Sequence, residues 1–187
     1  MKTLFLSTLT SLMALGAFAP VHQALGEPGA VADAPNGIAF PADYRNWRVI
    51  SVSHRTDHHS MRVILGNDTA FNAVLDGRTN PWPDGSVLGK VVWKEGPEPK
   101  WAAAIAPQQF IHAEFMLKDA KAWAATGGWG YARWVGEELK PYGANRHFVQ
   151  ECVACHTPVK DNDWVYTIPA RFPELPHVMG QARKAGQ

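Results

Sequence analysis

Ser86 to Lys94 carries the clearest alternation in the chain. Val87, Val91 and Trp93 fall on one side of an extended backbone, and Leu88, Lys90 and Val92 on the other. Both sides are apolar apart from Lys90, which predicts a strand buried on two faces. A lysine between Leu88 and Val92 on an inward face is costly unless it is paired; the other reading is a side chain reaching to water, or an edge strand with one wet face. Phe110 to Leu117 alternates again. Ile111, Ala113, Phe115 and Leu117 make a core face, while Phe110, His112, Glu114 and Met116 make a mixed one that suits a polar pocket or a solvent-washed surface. Shorter runs at Trp47–Val52, Met61–Leu65, Trp129–Val135 and Trp164–Ile168 predict further strands.

Helix signals are few and short. Pro41 to Tyr44 begins a short helix or turn, and Asn67-Asp68 offers a cap to a helix over Thr69–Leu75. Asp119 caps a second helix to Ala125, stopped by Gly127-Gly128, and Asn145 caps a third that runs into Cys152. Pro81-Trp82-Pro83-Asp84-Gly85 is dense turn chemistry, and Pro97-Glu98-Pro99 reads as a loop, with the next strand placed after Pro107. Thr56 to Ser60 is polar and turn-like, so His58 and His59 are expected to face solvent. The sum predicts an α+β fold: a predominantly antiparallel sheet with several short helices, rather than an all-helical domain.

The first residues follow a different logic. Met1-Lys2 precedes an apolar run from Leu4 to Ala19, and small residues recur at Ala17-Phe18-Ala19 and Ala24-Leu25-Gly26. Residues 1–26 read as a cleavable signal peptide, which sends the protein to the periplasm; the run is short for a membrane anchor. Residues 27–39, rich in Ala, Pro and Gly without an apolar period, read as a flexible lead-in. Residues 40–173 form the domain, and residues 174–187 a tail with room for one exposed helix. Of 187 residues, roughly 160 remain after cleavage, enough for one domain with a real core. Eight Trp, eight Phe and four Tyr supply the bulk to enclose a large flat cofactor. With 18 basic against 17 acidic side chains and no basic run, the composition argues against nucleic acid as a partner.

The chemistry sits near the C-terminus. Cys152-Val153-Ala154-Cys155-His156 is a Cys-x-x-Cys-His segment, the attachment signature of a c-type haem, and it uses both cysteines of the chain. Two thiols on one turn of helix can each add to a haem vinyl group, which brings the adjacent imidazole of His156 under the iron as proximal ligand. The helix that Asn145 caps is the context this needs, with the haem held near the C-terminal helix. A thioredoxin-like dithiol or a zinc site are the alternatives; zinc wants a second pair of ligands, and His58-His59 is the only close one. Export supports the haem, because an oxidising compartment otherwise turns a lone pair of cysteines into a disulfide.

Further stretches carry a resemblance. Pro83-Asp84-Gly85-Ser86-Val87-Leu88-Gly89-Lys90 resembles the Asp-Gly-(Ser/Thr)-Val-x-x-Lys segment of the cytochrome P460 family. Ala113 to Asp119, Gly128-Trp129, Cys152 to His156 and Asp163-Trp164-Val165-Tyr166-Thr167 follow in that family's order, so that the resemblance covers roughly residues 40–172. It implies a small sheet-rich protein with one covalent haem c per chain, a five-coordinate iron, and a homodimer. In hydroxylamine-oxidising members a lysine is bonded to the haem ring, and by position it corresponds to Lys90. A carboxylate that handles protons corresponds to Glu114. The activity implied is oxidation of hydroxylamine to nitrous oxide or nitric oxide, with electrons leaving to a soluble cytochrome. Two alternatives go with it: a nitric oxide-binding beta-type cytochrome c′ without turnover, and an electron-transfer cytochrome. The last needs a sixth iron ligand, for which Met116, Met179, His112 and His147 are available, Met116 and His112 sharing a face with Glu114.

Overall fold

A computed structural model describes residues 30–171 and 173. The signal peptide and the tail helix expected above lie outside these residues. Six strands follow one another as a meander: β1 (Arg48–Arg55), β2 (Ser60–Gly66), β3 (Val87–Glu98), β4 (Trp101–Lys118), β5 (Trp129–Val135) and β6 (Lys140–Pro141). Each pairs antiparallel with the next, so the order in the sheet is the order in the chain. Two α-helices accompany the sheet, α1 (Asp68–Leu75) and α2 (Val149–His156), with several short 3-10 turns. The α+β expectation holds.

The alternation read from the sequence sets the two faces. Val91, Ala113, Phe115, Ala132 and Trp134 point to one side, where they meet Tyr44, Ala34 and Ile38. Ile50, Ile64, Leu88 and Tyr131 point to the other, where Ala70 and Ala73 of α1 and Val149 and Val153 of α2 pack on them. Phe115, 1% exposed, stands edge-on to the rings of Phe40, Tyr44, Trp47 and Trp134. Gly89 lies opposite it, and a Cβ there would come 2.9 Å from the Phe115 ring, so a side chain at this position displaces the aromatic cluster. Asn67 caps α1 as expected: its Oδ1 accepts from Ala70 N at 3.0 Å and also from Val87 N at 3.1 Å, tying the helix start to β3.

Four local expectations differ. The segment from 30 to 39, read as a flexible lead-in, packs on the sheet: Ala34 and Ile38 are each 4% exposed, and Ala32 O accepts from Trp134 Nε1 at 2.8 Å. Its few apolar residues are anchors too widely spaced to give a period. Pro97 and Pro107 do not break the strands but lie inside the β3–β4 ribbon, next to shifts in its register, where a missing N–H is tolerated. Asp119 does cap, accepting from Lys121 N and Ala122 N at 3.0 and 2.8 Å, yet only turns and a 3-10 segment (Ala124–Thr126) follow, because so short a run does not repay helix nucleation. Trp164–Ile168 is not a strand. Asp163 and Trp164 have positive φ (47° and 64°), which takes the backbone out of the extended region.

Candidate functional site

One wall of a cavity of about 630 Å³ is α2, and the volume falls in the roughly 300–1,000 Å³ range of cofactor pockets. The floor is the sheet face that α2 covers. Alternation brings every second residue to it: Ser51, Ser53 and Arg55 from β1, Arg62 and Ile64 from β2, Leu88 and Lys90 from β3, Glu114 and Met116 from β4, Tyr131 and Arg133 from β5. From α2 come Glu151, Cys152, Cys155 and His156, and the chain beyond adds Val165 to Ile168. Cys152 and Cys155, three residues apart on one helical face, are both free thiols. Burial pushes the Cys152 thiol up to about 11.

His156 is held in one tautomer. Its Nδ1 lies 2.6 Å from the Trp164 carbonyl oxygen, so Nδ1–H donates and Nε2 keeps its lone pair. The rings of Tyr131 and Tyr166 stand 5.3 and 5.4 Å from the imidazole. Burial, acting against the hydrogen bond to Trp164, lowers the imidazole below its ordinary value and keeps it neutral, the form that ligates iron. Tyr166 Oη donates to Cys155 O at 2.7 Å.

Register builds the charged part of the floor. Lys90 pairs with Glu114 across β3 and β4, and Glu114 with Arg133 across β4 and β5, so the three side chains stand in a row. The Lys90 ammonium contacts Glu114 Oε2, and Arg133 Nε donates to Oε1 at 2.6 Å. The Glu114 side chain is 17% exposed. Burial, the largest influence, would raise its carboxyl; Lys90, Arg133 and His112 together outweigh it and hold the group down at about 2. His112 Nε2 sits 3.4 Å from the same carboxylate. Burial is again foremost and lowers His112 to about 4, with Lys90 and Arg133 acting the same way and Glu114 opposing them. The lysine and glutamate that stood out on their strand faces are thus partners, and the mixed face of β4 is a pocket at Glu114 and Met116, with His112 against the carboxylate. Phe110, expected on the same face, instead packs beside Trp93 on the opposite cluster, where the β3–β4 register shifts.

These shifts set an acid response. The folded-state values of His112 and Glu114 lie below their ordinary 6.5 and 4.5, so the unfolded chain binds more protons in each window. The stability they contribute is complete above pH 6.5, declines through the His112 window towards pH 4, and declines again through the Glu114 window towards pH 2. Within one group's window the loss is at most about 1.4 kcal/mol per pH unit. Denaturant unfolding measured from pH 7 to pH 4 should show this slope, and His112→Asn should flatten it; an unchanged slope in that variant removes His112 from the account.

The cavity residues fit a haem. Arg62 lines the floor with its Nε buried and without a partner among the described residues, whereas Arg55 is bound to Asp57 and Arg133 to Glu114. Arg62, with the Ser51 and Ser53 hydroxyls, is the donor set that would take the porphyrin's carboxylates. The buried Tyr131 hydroxyl is likewise unpartnered. Among the candidate sixth ligands, Met116 lines the cavity, His112 turns to Glu114, and His147 is exposed beside α2. Met179 lies outside the described residues. His58 and His59 face solvent as expected, with side chains 60% and 79% exposed.

Arg133 and Arg62 escaped the sequence reading. The signal for Arg133 was the one used for Lys90: it is the charged residue on the Trp129–Tyr131 side of an otherwise buried strand. The Trp164 carbonyl gave no signal at all, since a backbone acceptor carries no residue signature.

A sheet-floored cavity walled by a Cys-x-x-Cys-His helix defines the protein as one built to hold a flat metal-bearing macrocycle. Residues 41–167 match the model of the family described as Cytochrome P460, and the chain belongs to the cytochrome P460 family. That membership makes it a c-type haem protein with iron as its metal. Comparison with curated proteins gives no match.

Proposed function

We propose that this chain is a periplasmic enzyme that binds hydroxylamine at a five-coordinate haem and oxidises it to nitrous oxide or nitric oxide. Cys152 and Cys155 form the thioethers to the haem, and His156 is the proximal ligand. The observation that carries the reading is the Lys90–Glu114 pair on the cavity floor, across from the Cys-x-x-Cys-His helix. When bound, the haem supplies the redox chemistry at its iron.

Hydroxylamine loses protons together with electrons, three of each on the way to nitric oxide. Two carboxylates line the cavity; Glu151 is exposed and accepts from Tyr142 Oη at 2.9 Å, which leaves the half-buried Glu114 as the one to accept the protons. Between Lys90 and Arg133 it is a weak base. A bond from the Lys90 nitrogen to the porphyrin would remove the foremost of the cationic influences and let burial raise the carboxyl towards a useful range. Electrons pass on to a soluble cytochrome, and the working unit is a homodimer.

Expression together with a cytochrome-maturation apparatus tests the proposal. The expected product is coloured, has a strongly red-shifted ferrous band, carries the Lys90 peptide and the haem peptide in a single mass, and turns hydroxylamine over with a cytochrome acceptor. Colourless protein overturns the haem reading itself. A second reading has its own observation: Lys90 is already satisfied as an ammonium by Glu114 and needs no covalent bond. A separate Lys90 peptide and an ordinary five-coordinate spectrum would select a nitric oxide-binding beta-type cytochrome c′. A low-spin spectrum would select electron transfer, with Met116 as the ligand on the cavity floor.

A further inference from the structure

Lys118 and Asp163 form an ion pair at 2.6 Å whose side chains are only 7% and 9% exposed. Neither residue lines the cavity. Such a pair is expensive to bury, and an apolar pair of similar volume is often no less stable, so its presence calls for a reason other than stability. The reason is visible one residue on. Asp163 and Trp164 are consecutive non-glycine residues in the left-handed region, a backbone that persists only where its surroundings over-determine it.

The surroundings do so at several atoms. Asp163 Oδ1 accepts from Lys118 Nζ, and Oδ2 accepts from Trp82 N at 2.8 Å. The Asp163 carbonyl accepts from Trp129 Nε1 at 2.8 Å, and the Lys118 ammonium lies 5.0 Å over that same indole. The Trp164 ring fills the space over Gly127, where any Cβ would collide with it. Trp164 N donates to Val159 O at 3.1 Å, so its own carbonyl is left aimed at His156 Nδ1, 2.6 Å away.

We propose that the buried Lys118–Asp163 pair is the positioning device of the proximal imidazole. It locks the left-handed turn that aims the Trp164 carbonyl at His156, and thereby fixes the ring's tautomer, its rotation and the basicity of the nitrogen that meets the iron. The inference rests on the haem reading above. Lys118 and Asp163 are positioning residues, acting through Trp164. A firm Nδ1–H···O bond makes the imidazole a stronger donor and favours the ferric state; a loosened one favours the ferrous state.

The test uses the matured haem protein and five variants. Lys118→Met and Asp163→Asn break the ion pair, while Trp129→Phe leaves both charges in place, removes the donor to the Asp163 carbonyl and puts a smaller ring beneath the Lys118 ammonium. Val91→Ala, on the opposite face of the sheet, is the control for general loss of packing. The readouts are the reduction potential and the ferrous iron–histidine stretching frequency. In the pair-breaking variants the ferric–ferrous equilibrium should move about tenfold towards ferrous, about 59 mV for a one-electron couple, with a lowered stretching frequency. Trp129→Phe should move both in the same direction by less, and it carries the test if neither pair-breaking variant accumulates folded. Lys118→Arg should restore the wild-type values. Potentials and frequencies indistinguishable from the Val91→Ala control overturn the proposal. A wild-type protein that takes up no haem fails the functional reading instead, so the two failures are distinct.

Discussion

Glu114→Gln should lower hydroxylamine turnover by about 10²–10⁴-fold, the range for losing a positioned general base. The side chain keeps its shape, and an amide oxygen can still accept from Arg133 Nε as Oε1 does now at 2.6 Å. What it loses is proton affinity and the negative charge between two cations. Binding of hydroxylamine should therefore change by no more than a few-fold, with the loss confined to the rate of oxidation. The pH profile of the residual activity should also lose its acidic limb. Steady-state kinetics beside a spectroscopic titration separate the two quantities, and wild-type turnover in this variant would remove Glu114 from proton transfer. Glu114→Ala is the poorer experiment, because it leaves Lys90 and Arg133 facing each other in a half-buried site with no counter-charge.

Trp134→Ala should cost about 4 kcal/mol of stability, roughly a thousandfold in the folding constant. Trp134 is fully buried, 5.1 Å from the Phe40 ring and 5.8 Å from Phe115. Its removal empties a cavity at the centre of the cluster and also orphans the Ala32 carbonyl, which accepts from Nε1. The segment from 30 to 39 is tied to the sheet here and by Asn36 Nδ2, which donates to the Tyr131 carbonyl at 2.9 Å, so losing one of the two ties should accelerate proteolysis there. Trp134 lines no part of the cavity beside α2, and the spectrum of the protein that does fold should be that of the wild type. Equilibrium denaturation settles the magnitude; a loss below about 1 kcal/mol would mean that the site collapses around the void.

Period-two alternation was the part of the fold most legible from the residues. Trp129–Val135 is a strand over those very residues, and Val87–Trp93 and Ala113–Leu117 carry the face assignments that build the site. Those assignments already marked Lys90 and Glu114 as odd, and cross-strand register explains why they meet. What escaped depends on interactions distant along the chain. Pro97 and Pro107 look like breaks until a partner strand supplies a bulge to receive them. Residues 164 to 168 look extended, but Asp163, paired with a lysine 45 positions earlier, and Trp164 lie in the left-handed region. The two-residue β6 (Lys140–Pro141) is too short to leave a pattern, and it exists because Trp134 and Val135 offer it an edge.

The meander order has a kinetic consequence. With each strand paired to its chain neighbour, the sheet closes through sequence-local connections, the longest of them the segment with α1 between β2 and β3, and spends comparatively little entropy on loop closure. The surface that receives the cofactor can thus assemble from residues 48–135 before the helix bearing both thiols is called upon. Under the function proposed above, attachment would then be a late event, with both thiols brought to a floor already formed.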